Sequence, residues 1–381
     1  MSGYTRRGFL RVTAQGTAAL ALVGVSGTLL GGCDPKTLAE PDANGLRLQS
    51  GFTSRIIATT GQVVAGTTHV WHTAPDGGAC FPLPDGGWSY VSNCEWVPGG
   101  ASYVRFAKDG SIVGAGPCLV GANVNCAGGP TPWGTWLSCE ELPRGQVWEC
   151  DPVGAHTGIV RPAMGRFPHE AAAADTANSC IYLTEDRTDG ALYRFVPTTW
   201  GDLSAGSLQV LTRTADVLSW QVVPDPSAAV TPTKDQVPDT VRFNGGEGAD
   251  MSLGKLIFTT KGDNRVWRYD PVANTLGIVY DRAVQVNGVL SGVDNVEVSA
   301  KGVIYVAEDG QGTVGGGDMQ IVLVRNDGST FPVVQVTGTT ASEITGPAFD
   351  PSGTRLYFSS QREPGRTYEV KGNWSKFTNP G

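Results

Sequence analysis

Acidic residues recur in this chain beside apolar runs: Asn93-Cys94-Glu95, Cys139-Glu140-Glu141, His169-Glu170, Glu185-Asp186-Arg187, Glu247 in a GGEG turn, Asp294-Asn295, Glu308-Asp309 and Glu343. Runs such as IYLTED and VIYVAED end in their acids, which is not where ordinary solvated charges stand. Carboxylates drawn together repel unless cations lie among them, so metal binding is the natural resolution. Carboxylate and amide oxygens suit Ca²⁺, whereas a thiolate prefers a softer ion such as iron or zinc. For any single acid the bland alternative is a hydrogen bond that closes its own sheet, or a pair with Arg187 or Lys301. Arg166 and Arg187, near the acids, are candidate anion holders, with surface ion pairs as their alternative.

Histidine supply narrows the chemistry. Only His69, His72, His156 and His169 exist, so a histidine-rich zinc site is hard to build. No HExxH, P-loop, EF-hand or GxSxG run is present. Of eight cysteines, Cys33 stands apart near the start, which leaves an odd seven. Spacing makes Cys80 with Cys94, Cys118 with Cys126, and Cys150 with Cys180 the simplest pairing of six, among about 15 connectivities. That leaves Cys139, in WLSCEE, for metal chemistry, and one thiolate among many carboxylates suggests a mixed cluster.

The elements that must position these residues are strands. With 52 glycines, 17% charged and 40% hydrophobic residues in 381, the chain is turn-rich and charge-poor, as an all-β protein would be. Six segments share an apolar run with an aromatic or aliphatic anchor, at Tyr103, Trp148, Tyr193, Trp267, Leu323 and Tyr368, spaced by 45, 45, 74, 56 and 45 residues. A four-stranded propeller blade takes about 40 to 50 residues, so the anchors predict a six-bladed β-propeller. The long gap predicts a Pro-rich insertion over residues 197–240. A β-sandwich would not explain acids returning upstream of each anchor, whereas inner strands of a propeller bring equivalent positions to one axis.

The start of the chain speaks about compartment. Thr5-Arg6-Arg7-Gly8-Phe9-Leu10-Arg11 precedes an uncharged stretch from Gly16 to Leu30, shorter than the roughly 20 residues a spanning helix needs. The pattern looks like a twin-arginine export signal, and Leu30-Gly31-Gly32-Cys33 resembles a lipoprotein cleavage box that would acylate Cys33. The expected organisation is a signal at 1–32, a linker at 33–50 and a propeller at 51–381. The expected location is the periplasm or cell surface, with membrane contact only through a lipid on Cys33 and a monomeric state. A formal charge of -8, from 28 Lys plus Arg against 36 Asp plus Glu, excludes a nucleic-acid surface.

At YVSNCEW, NCAGGPTPWGTWLSCEE, MGRFPHEAAAAD, IYLTEDR, the GGEG turn, VDNVEVSAKGVIYVAEDG and SEITGPAFDPSGTRLYF the chain resembles the PhoX-type alkaline phosphatase family. The resemblance implies an exported propeller that hydrolyses phosphomonoesters with ferric and calcium ions. It implies Cys139 as the thiolate bridging iron and Glu247 as an iron ligand. Glu140, Glu170 and Glu308 would complete the iron and calcium shell, with Asp309 and Glu343 beside them. One position departs from the family: Gly245 stands where members often carry an arginine two places before the glutamate matching Glu247. The alternatives are a calcium-dependent lactonase or ester hydrolase on a similar propeller, and a non-enzymatic exported binding propeller.

Overall fold

In the computed structural model, Tyr103, Trp148, Tyr193, Trp267, Leu323 and Tyr368 each lie on the third strand of a different antiparallel sheet: Gly100–Phe106, Val147–Cys150, Leu192–Thr199, Arg265–Asp270, Gln320–Val324 and Arg366–Lys371. The structure describes residues 37–155, 157–285, 288–310, 318–339 and 341–379. The expected signal at 1–32 and Cys33 lie outside them. The six sheets are the blades of a six-bladed all-β propeller, and the described residues hold three short 3-10 turns and no α-helix.

Each blade starts on its inner strand: Pro75–Pro82, Asn125–Pro130, His169–Asp175, Gly246–Ser252, Val293–Val298 and Ile344–Phe349. Each inner strand packs against the next, and the sixth returns to the first. Closure comes from the N-terminal side, where Thr53–Thr59 pairs with Arg366–Lys371 as the outer strand of blade 6. Just before it, Leu46–Leu48 adds a fifth strand to blade 5. This part of the expected 33–50 linker is therefore structural, because Leu46 and Leu48 alternate with Arg47 and are buried in a cluster with Val334, Val336, Trp374 and Phe377. The rings of Phe52 and Trp374 meet edge to face at 4.8 Å, so both chain ends seal the same seam.

The segment 197–240 also differs from expectation. Asp202–Thr214 and Val217–Val222 extend blade 3 to five strands, with Leu203, Leu208, Val210 and Leu211 buried. Only the part after Val222 is a long connection, bearing the turn Thr233–Asp235.

Among the described residues all seven cysteines are free, which corrects the expected pairing. Cys80 opposes Tyr90 while Cys94 opposes Pro75, so the two stand well apart along paired strands. Cys150 packs with Cys118 in one cluster, and Cys180 lies in another.

Candidate metal centre

All six inner strands carry the same irregularity. The pairing with the second strand slips after Pro75, Asn125, His169, Gly246, Val293 and Thr345. A bulge of this kind bends a strand and re-aims one side chain. The residues at the equivalent place are Asp76, Cys126, Glu170, Glu247, Asp294 and Thr345. A second set follows the last paired residue of each second strand: Glu95, Glu141, Asp186, Lys261, Asp309 and Gln361.

Small neighbours let the inner strands approach. A Cβ on Gly77 would lie 2.5 Å from Ala127 Cα, and one on Gly248 would lie 2.5 Å from Val296 N. Donors on one blade also hold the bulge carbonyl of the next: Asn93 Nδ2 donates to Cys126 O at 2.8 Å, Thr184 Oγ1 to Glu247 O at 2.6 Å, and Thr259 Oγ1 to Asp294 O.

The two sets surround one axial cavity of about 200 Å³, lined also by Glu343 and Arg362. Together with Glu170, nine carboxyl groups and the thiol of Cys126 meet two cationic side chains there. Four ligand groups form, each with its donor atoms within 4.8 Å of one another: Asp76, Glu95 and Cys126; Cys126, Glu141 and Glu170; Glu170, Glu247 and Asp294; Asp294, Asp309 and Glu343. Glu170 is fully buried, and its Oε2 has no hydrogen-bond partner. A buried carboxylate oxygen left this way is costly unless a cation or proton meets it. The residues therefore fit a polynuclear metal centre.

Burial raises the pKa of Asp76, Glu170, Glu247, Asp294 and Glu343, and Glu141 is pushed up to about 8, with neighbouring acids adding to burial in each case. Burial and mutual repulsion thus favour the protonated acids, and a cation among them favours the charged form. The Cys126 thiol is raised too, by burial and then by Asp76 and Glu170, and it donates to Glu170 Oε1 at 3.3 Å. Lys261 is held charged against its own burial by Asp294, Glu247, Glu343 and Asp309.

Of the metal ligands expected from the sequence, Glu170, Glu247, Asp309 and Glu343 come together here, joined by Glu95, Glu141, Asp186 and Asp294 of the wider acidic set. Cys139, Glu140 and Glu308 do not. Cys139 takes the register position of Asn93, Thr184 and Thr259, which faces the next blade, and it is buried among Leu137, Val147, Phe167 and Leu183. The axial thiol is Cys126. Glu140 accepts the amides of Asn123 and Gln146, each at 3.1 Å, and Glu308 those of Ser291 at 2.8 Å and Gln320 at 3.0 Å. They close loops of their own blades, as Glu185 does with Ala191 N and Tyr193 Oη. His169 is turned to Gly165 O at 3.1 Å and packs on Phe167.

Arg166 and Arg187 line a separate cavity of about 320 Å³, with Arg144, Glu185, Lys234 and residues 228–230 and 232–233 of the blade 3 connection. Arg187 of this cavity directly follows, along the chain, Asp186 of the axial one. Gly245 has φ +72, and a Cβ there would meet Asp186 Oδ1 at 3.2 Å and Lys261 Cβ at 3.7 Å. An arginine at this position would be strained by the positive φ and its Cβ would press on the Asp186 carboxylate.

Sequence reasoning passed over Asp76, Cys126, Lys261 and Arg362. A usable signal existed in Asp76-Gly77-Gly78, Cys126-Ala127-Gly128, Glu170-Ala171-Ala172 and Glu247-Gly248-Ala249: one donor, then two small residues, at the head of successive inner strands.

Fold and site together define a six-bladed propeller with an acidic, thiol-bearing axial centre. The family model for alkaline phosphatase PhoX matches residues 97–146 and 142–252, from blade 1 into blade 4, in accord with the motif resemblance. The structure of Pseudomonas fluorescens PhoX in complex with vanadate, a transition state analogue, superposes with a TM-score of 0.73 at 15% identity, covering 89% of this chain and 97% of that one. A structural genomics protein of unknown function from Bacteroides thetaiotaomicron superposes with a TM-score of 0.52 at 9% identity, covering 84% and 76%. At these identities the likeness is one of fold. No curated protein matches the chain.

Proposed function

We propose that this chain is a metal-dependent phosphomonoesterase of the alkaline phosphatase type, working with iron and calcium ions at the propeller axis. The observation that carries the reading is Cys126: two ligand groups share its sulfur, one with Asp76 and Glu95 and one with Glu141 and Glu170. A thiolate suits iron, and the all-oxygen groups around Glu247, Asp294, Asp309 and Glu343 suit calcium. When bound, such ions neutralise the charge that phosphoryl transfer spreads over the equatorial oxygens.

The chain itself supplies the rest. The eight carboxyls of the ligand groups would hold the cations, and the bulges set four of them, Asp76, Glu170, Glu247 and Asp294, at equivalent places on their blades. Arg362 is oriented by Glu343 at 2.7 Å and lines the axial cavity, where its guanidinium offers a fork to an incoming phosphate. The separate cavity with Arg166 and Arg187 gives room and positive charge for the remainder of the substrate. The fold neighbour that holds vanadate as a transition state analogue supports the same reading.

The metal-loaded protein is expected to contain iron with calcium and to hydrolyse an aryl phosphate at alkaline pH, with inhibition by vanadate. Opening of lactones with no phosphate release would instead establish a calcium-type hydrolase, in which Cys126 has no task.

Export belongs to the same proposal, on the strength of the Arg6-Arg7 run and the Cys33 box. The protein then works in the periplasm or at the cell surface, as a monomer tethered by lipid. Lysines at positions 6 and 7 should trap it in the cytoplasm, and Cys33→Ala should move it from the membrane to the soluble fraction. An unchanged distribution in both variants would reject the routing.

A further inference from the structure

Five of the six places in the second axial set hold an acid or amide: Glu95, Glu141, Asp186, Asp309 and Gln361. The sixth, in blade 4, is Lys261. Its ammonium lies 3.3 Å from Glu247 Oε1, 3.0 Å from Asp294 Oδ2 and 3.5 Å from Asp309 Oδ2. Those carboxylates belong to the two ligand groups that share Asp294. By contrast, none of the ion pairs among the described residues reaches Asp76, Glu95, Glu141 or Glu170, the acids grouped with Cys126.

The centre is thus divided by charge. Around Cys126 the acids make no ion pair with a lysine or arginine among the described residues, and the buried Glu170 Oε2 has no hydrogen-bond partner. Around Asp294 a tethered ammonium already stands between the carboxylates. A lysine ammonium is a compact point charge that competes with an ion for the same oxygens. Its stem is anchored next to Thr260, the last residue paired with the bulge at Gly246, so the charge is delivered by the blade and not from solution.

We infer that Lys261 is a resident cation that takes the place of one calcium-class ion in the blade 4 and blade 5 half of the centre, so that exchangeable metal gathers in the Cys126 half. This rests on the reading of the axial site as a metal centre. It also gives the half without a thiol a charge that chelators cannot remove.

The test is metal stoichiometry, measured by elemental analysis and calcium titration on the mature wild-type chain and on Lys261→Met, Lys261→Gln and Lys261→Arg. The uncharged variants are expected to bind one further calcium per chain with iron unchanged, and Lys261→Arg to keep the wild-type count. Equal, non-zero counts in wild type and uncharged variants overturn the inference and leave the metal centre standing, and a raised KM with that outcome would mark Lys261 as a substrate contact. No metal in any of the proteins overturns the metal centre itself. Should the uncharged variants fold poorly, recovery of the folded state by millimolar calcium supports the inference, and failure to recover at any calcium concentration defeats it.

Discussion

Cys126→Ser is expected to release the iron and to lower kcat by about 100-fold or more, whereas Cys139→Ala keeps both metal and activity. Loss of partners one layer outside a metal costs about 10 to 100-fold, and a donor shared by two ligand groups should cost no less. Cys126 stands at the bulge of blade 2 within reach of four acids. Cys139 is fully buried in the seam between blades 2 and 3, with burial and then Glu140 raising its pKa, so it stays a neutral thiol that fills space. Its truncation should cost about 1 kcal/mol of stability and nothing else. Elemental analysis beside thermal unfolding separates the two. Iron lost from Cys139→Ala and retained by Cys126→Ser would reverse the assignment.

The same pair shows what the sequence discloses and what it hides. The anchors repeat because each blade packs one large side chain on its third strand, buried for Tyr193, Leu323 and Tyr368 and half-buried for Tyr103, Trp148 and Trp267, and a repeat in packing leaves a repeat in composition. Six blades are therefore readable before any coordinates. The acids at strand ends are readable too, but their facing is not. Glu140 and Glu141 differ by one position, and the first closes a loop while the second lines the cavity. Glu308 and Asp309 divide in the same way. What sends Cys126 to the axis is a slip of register after Asn125, made by pairing with a strand some ten residues later, and no local pattern announces it. Cysteine counting then misled, because it presumed disulfides and so assigned Cys126 to a bridge. Lys261 escaped notice for a related reason, since a lone lysine after an apolar run reads as a solvated end until five equivalent places show acids or an amide.

Chelation should cost this protein little stability in acid and a great deal in alkali. In the metal-free state Glu141 has its pKa pushed up to about 8, and Asp76, Glu170, Glu247, Asp294 and Glu343 are raised by burial and by one another. Their unfolded values are those of free carboxyls, near 4 to 4.5. Between those values and about 8 the native state holds more protons than the unfolded chain, so stability falls as pH climbs through that window. Below about pH 3 the axial carboxyls are neutral in both states and cost nothing. Metal reverses the trend, because each ion displaces protons and is held more tightly as pH rises. Other buried acids complicate a single curve: Glu185 and Asp250 titrate near 7 and Glu308 near 8, all raised first by burial. They act alike with and without metal, so the difference between the two melting temperatures isolates the axis. That difference is expected to widen from near zero at pH 5 to on the order of 10 °C at pH 8.5, a few kcal/mol at roughly 2 to 4 °C for each. Phosphatase activity should vanish with the metal and return on calcium and iron together. A gap that stays constant or narrows toward alkali would mean that the carboxyls of the four ligand groups are not the metal's ligands, and that the alkaline preference expected of the enzyme arises elsewhere.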